Sequence, residues 1–114
     1  MDKDPNIFLR HILESIEAIE NHMAGISWDD FEQSLKSQDA VARRLEIIGE
    51  AVKNLSDEFK ARRVDVPWKD IAGMRNNVIH EYFNVDTQLV WTITQKELPV
   101  LKNQIMDILD KLKS

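Results

Sequence analysis

The sequence predicts an all-α bundle of four to five main helices, and three observations predict it. Apolar residues recur at helical spacing almost throughout the 114 residues. Only three glycines and three prolines punctuate them. The apparent starts and stops carry helix-capping residues rather than hairpin turns. At this length the chain is a single domain, 1–114, large enough for a real core.

Asp4-Pro5 opens the first helix, with Asp4 as N-cap and Pro5 as the first helical residue. Phe8, Ile12, Ile16, Ile19 and Met23 form its stripe, Leu9 and Leu13 flank it, and Gly25 closes it. Ser27 caps a second helix with Asp29 and Asp30 in its first turn and Trp28, Phe31 and Leu35 on its apolar side. That helix either pauses at Ser37 or runs on. From Val41 the pattern is regular: Val41, Leu45, Ile48, Val52 and Leu55 make a bundle seam. Asp39, Arg43, Glu46 and Glu50 flank it and can pair along the helix. Gly49 costs about 1 kcal/mol against alanine in such a helix, so the close approach of another backbone is expected there.

Ser56 caps a short amphipathic segment ending at Arg63, and Val64-Asp65-Val66 is extended ahead of Pro67. A helix then runs from Trp68 to about Asn84. Asp86 caps the last helix, whose stripe is Val90, Ile93, Leu101, Ile105, Ile108 and Leu112, with a kink expected at Pro99.

Composition narrows the chemistry. With no cysteine, disulfides, thiolate zinc sites and cysteine nucleophiles are excluded. No apolar run approaches the ~18 residues of a membrane span, and no signal-peptide pattern opens the chain, so a cytoplasmic protein is expected. His11 and His22 are nearly eclipsed on one helix, but they stand too far apart for a ligand pair, and no Glu-x-x-His is present. No metal and no cofactor are expected. The net charge of −5 means that any nucleic acid must meet a local cationic cleft. Arg43, Arg44, Arg62, Arg63, Lys69 and Arg75 are its candidates, although those outside the motif around Arg75 read more readily as solvated helix faces.

The informative helix is the one after Pro67. Trp68, Ile71, Arg75, Val78 and Tyr82 fall along one stripe, and a guanidinium in an apolar stripe is costly unless paired. His80 lies about 140° round the helix from Arg75. One straight helix does not easily aim both at one atom, whereas two copies about a two-fold axis can. Taken singly, each residue has a plainer explanation: His80 as a surface histidine, Arg75 as an ion-pair partner of Glu46 or Glu50, Tyr82 as an interface aromatic.

Together, Arg75-x4-His80-x-Tyr82 resembles the signature of HepT-like toxins in the HEPN ribonuclease superfamily. The likeness extends over Gln38–Val41, Arg44–Ala51, Pro67-Trp68, Gly73–Phe83, Val85-Asp86 and Val90-Trp91. It implies an antiparallel HEPN-type bundle and a homodimeric, metal-independent endoribonuclease toxin. Arg75 and His80 would be catalytic, with Asn76, Glu50 and Arg43 in support. A histidine near its reference pKa of ~6.5 serves as acid or base, and an arginine fork stabilises developing phosphate charge. The resemblance also implies a nucleotidyltransferase antitoxin that attaches AMP to Tyr82. The alternative is a non-catalytic helical module that binds a nucleotide or a protein in the same cleft.

Overall fold

The computed structural model describes residues 4–74 and 86–113. Every regular element among them is a helix. The first, α1 (Pro5–Met23), is capped as expected: the Asp4 carboxylate accepts the Asn6 backbone N–H at 2.9 Å. Its stripe is turned slightly, so that Leu9 is fully buried while Phe8 is half-buried against the core. Gly25, at φ 77°, supplies the left-handed turn that ends this segment.

Ser27 caps α2 (Trp28–Gln33), its Oγ accepting the Asp30 N–H at 3.1 Å. The break comes at Ser34, three residues before the expected pause at Ser37. Ser34 instead caps α3 (Leu35–Lys53) through Ser37 N–H. Gln38 makes the early break tolerable. Its buried amide donates at 3.0 Å to the Phe31 carbonyl, which also accepts the Ser34 N–H, and at 2.9 Å to the carbonyl of Glu32, so that side-chain bonds hold the end of α2. The new helix axis carries Leu35 away from Trp28 and Phe31, leaving it 69% exposed rather than on their apolar side.

Val41, Leu45, Ile48 and Val52 of α3 are buried against α1. The two helices run antiparallel, because His22 near the end of α1 bonds Ser37 near the start of α3. At the other end Phe8 and His11 share a groove with Glu50 and Asn54. The last long helix, α7 (Leu98–Lys113), is antiparallel to α1 too: Lys102 meets Glu20 at 2.8 Å, while Leu109 and Lys113 lie by Arg10 and Leu13.

Asp86 caps α6 (Thr87–Thr92), accepting from Leu89 N–H. Trp91 then packs edge-on to Trp28 and tilted to Phe31, at centroid distances of 5.6 and 5.7 Å. Between α6 and α7 the expected disturbance at Pro99 takes the form of a π-turn, Ile93–Glu97, with Leu98 N–H reaching back to the Ile93 carbonyl. Proline offers no N–H and crowds the preceding turn, and a widened turn just before it relieves both. Leu112, expected in the stripe, is 41% exposed. By that level the core has ended, and Ile108 and Leu109 are the last α7 residues buried in it.

Two short helices complete the described chain, α4 (Asp57–Ala61), capped by Ser56, and α5 (Trp68–Ala72). Arg63, between them, forks onto Asp65 at 2.8–2.9 Å and reaches Asp107 of α7 at 2.9 Å. Hydrogen bonds from Arg63 hold the Asp65 carboxyl down at about 2. A depressed folded-state pKa adds stability above the ordinary carboxylate value, and that stability is lost as pH falls through the folded one. The Tm difference between wild type and Asp65→Asn should therefore be present near neutrality. It should shrink only below about pH 4, toward about pH 2.

Candidate functional site

Arg75, Asn76, His80 and Tyr82 lie outside the described residues, as does the expected helix end near Asn84. The described chain presents the platform that leads into them. Trp68 and Ile71 of α5 are buried, as is Met74, so the first part of the predicted stripe does face the core. The Trp68 indole N–H donates to the carbonyls of Lys60 and Arg63 at 3.1 and 3.0 Å, and its ring leans on Phe59. Thus α5 is tied to the end of α4 before it reaches the signature.

On its other side α5 rests on α3. A β-carbon built on Gly49 would stand 3.3 Å from the Ile71 carbonyl oxygen and 3.4 Å from that of Ala72. The backbone expected to approach Gly49 is therefore α5 of the same chain. A β-carbon on Gly73 would meet only its own turn, Lys69 O at 3.4 Å and Asp70 O at 3.7 Å. Both glycines are accounted for within one chain, and neither argues for a dimer contact.

Of the expected supporting residues, Arg43 and Glu50 are described. They are two turns apart on the exposed side of α3 and line a groove with Phe8, His11, Glu46 and Asn54. Arg43 pairs with Glu46 at 3.8 Å, and Glu50 with Lys53 at 3.6 Å. Such exposed pairs hold their partners weakly, leaving both side chains adjustable. The described cations do not gather into one cleft. Arg44 lines a different groove with Ala18 and His22, Arg62 pairs with Glu58, and Arg63 is engaged by Asp65 and Asp107. Periodicity places a charge on a face but says nothing of which acid on another element reaches it.

His11 and His22, read from the sequence as nearly eclipsed, have separate surroundings. His22 Nε2 is 3.0 Å from the buried Ser37 Oγ, while His11 faces the Arg43–Glu50 groove. Among the described residues no three His, Asp or Glu side chains gather as a metal-ligand set. No described helix is long and apolar enough to cross a membrane. Sequence reasoning missed a cleft of about 280 Å³ between α5 and the start of α7, floored by Ile71, Met74, Leu98 and Leu101 and rimmed by Asp70 and Lys96. Its walls are 19 or more residues apart in the chain, so no local pattern announced it.

The helical bundle of the described residues accords with the HEPN-type bundle that the resemblance implies. The ribonuclease HepT-like family model matches residues 12–108, and the chain belongs to that family. Endoribonuclease is the enzyme class that this membership gives it. It is 49% identical over 112 residues to a Methanocaldococcus jannaschii protein named "Gamma-glutamylcyclotransferase and putative RNase". That match covers 98% of this chain and 50% of the relative, so the chain spans about half the relative's length. A "Putative RNase" of Caldanaerobacter subterraneus subsp. tengcongensis is 47% identical, with 97% of this chain and 99% of the relative covered. A "Probable ribonuclease HepT" of Thermococcus cleftensis is 40% identical over 91% of this chain and 94% of the relative. No solved structure matches.

Proposed function

We propose that this chain is the toxin of a toxin–antitoxin pair, a cytoplasmic, metal-independent endoribonuclease whose composite site forms at a homodimer interface. The observation that carries the proposal is Arg75-x4-His80-x-Tyr82 within Gly73–Phe83, in a chain of the ribonuclease HepT-like family. His80 takes the 2′-OH proton or protonates the leaving 5′-oxygen, and two copies of the chain supply one histidine for each task. Arg75 stabilises the charge that develops on the phosphorus-bound oxygens, and Asn76 orients the phosphate or the imidazole. Glu50 and Arg43, on the exposed side of α3, support this site. The test is RNA cleavage by purified protein in EDTA, with sedimentation to establish the dimer. Activity there that vanishes in His80→Ala supports the proposal, and no cleavage by wild type favours the nucleotide- or protein-binding module instead.

Regulation belongs to the same proposal. Tyr82 is the acceptor of AMP from a nucleotidyltransferase antitoxin: its phenol oxygen attacks the α-phosphorus of ATP and pyrophosphate leaves. The adduct places a bulky anion two residues from His80, where it competes for the phosphate position and offsets the charge of Arg75. Tyr82→Phe should keep its ribonuclease activity and show no AMP adduct by intact mass after incubation with partner, ATP and Mg²⁺. An adduct of equal yield on the Phe variant would place the modification elsewhere.

A further inference from the structure

We infer that Gly49 is a positioning residue for the ribonuclease reaction: by carrying no side chain, it sets how closely the lead-in helix of the signature lies on α3. The inference rests on the assignment of Arg75 and His80 as catalytic. Its observation is independent of that assignment. Gly49 is buried in the middle of a 19-residue helix, where glycine is a poorer helix former than alanine. What the missing β-carbon makes room for is backbone, the carbonyl oxygens of Ile71 and Ala72 at 3.3 and 3.4 Å from where it would stand. A flexible side chain swings aside at little cost, whereas a helix carbonyl moves only with its helix.

The consequence follows from connectivity. Ile71 and Ala72 are the last residues of α5, and Arg75 follows Ala72 by three residues. The head of α5 is held separately by the bonds from Trp68 to Lys60 and Arg63. A push at Ile71 and Ala72 therefore acts on the end nearer the signature, tilting α5 about its anchored head. Reactions that depend on placed acids, bases and phosphate ligands lose heavily from displacements of an ångström or less. A displacement of a few tenths of an ångström costs the packing of a short helix little. Stability and catalysis should then part company at this one position.

The experiment compares three variants on a fluorophore–quencher oligoribonucleotide that wild type cleaves. Gly49→Ala is expected to fold, with Tm near or above that of wild type because alanine is the better helix former. Its kcat should fall about 10-fold or more with KM within about 2-fold, the signature of misplaced chemistry rather than lost binding. Gly73→Ala adds the same methyl group just past the last turn of α5, but at an ordinary distance from its own turn, and should keep near wild-type kcat. Ile71→Val thins the packed face without touching the close contact; it should lower Tm while sparing kcat. Wild-type kcat in Gly49→Ala, alongside inactive Arg75→Ala and His80→Ala, overturns this inference and leaves the catalytic assignment standing. Wild-type activity in the Arg75 and His80 variants overturns both. Failure of Gly49→Ala to fold overturns it as well, because the glycine would then serve the fold and not the site. Equal kcat losses in Gly49→Ala and Gly73→Ala would likewise count against it, pointing to a general sensitivity of α5.

Discussion

Arg75→Ala and His80→Ala are each expected to reduce RNA cleavage by about 10³-fold or more while leaving the chain folded. Proton transfer by a placed histidine contributes ~10²–10⁴, and a preorganised donor at a developing oxyanion contributes ~10²–10³. In a two-fold composite site each substitution removes its group twice, which places the losses toward the upper end of those ranges. The double variant should be little worse than the poorer single one, since either change disables the same transition state. Cleavage kinetics on purified proteins of equal helicity check this. Near wild-type rates in both single variants would remove Arg75 and His80 from the mechanism and leave the non-catalytic module as the better reading.

Trp68→Ala should be the most destabilising single change near the site, costing about 3–5 kcal/mol and lowering Tm by roughly 10–20 °C. The ring is buried, lies tilted against Phe59 and fastens the head of α5 to the end of α4. Trp68→Phe separates packing from hydrogen bonding. Both acceptors keep another donor, because Arg63 N–H reaches Lys60 O and Val66 N–H reaches Arg63 O. The Phe variant should accordingly lose only about 1 kcal/mol beyond the change in shape. Thermal unfolding of the three proteins measures the difference. Equal Tm losses in the two variants would mean that the indole N–H, and not the ring, anchors α5.

Much of the fold was legible because it is set within single helices. Asp4, Ser27, Ser56 and Asp86 were readable as caps, since a capping oxygen needs only the N–H groups two or three residues ahead. The Val41–Leu55 seam was readable because helical spacing alone aligns it, and all five of its residues are buried. The stripe at the end of α7 was read one turn too far, because spacing carries Leu112 onto the apolar face but does not reveal where the core ends.

The family was legible for a different reason. Arg75, His80 and Tyr82 form a phrase that resembles a family signature, and the family match over residues 12–108 supports membership without any geometry. Supporting residues were less readable. Arg43 and Glu50 share a groove by periodicity, whereas of the six cations expected to build a cleft, Arg44 lines another groove, Arg62 pairs with Glu58, and Arg63 is engaged by Asp65 and Asp107.

By itself, then, the sequence determined the helical class, four of the caps and the identity of the signature, all of which depend on residues within a few positions of one another. Tertiary structure alone decided where α2 ends, because the amide that bonds the Phe31 and Glu32 carbonyls comes from Gln38, in the next helix. It alone decided which backbone Gly49 admits, and that Arg63 serves the α4–α7 junction. Each of these depends on contacts between separate elements, and helical periodicity carries no information about which elements will meet.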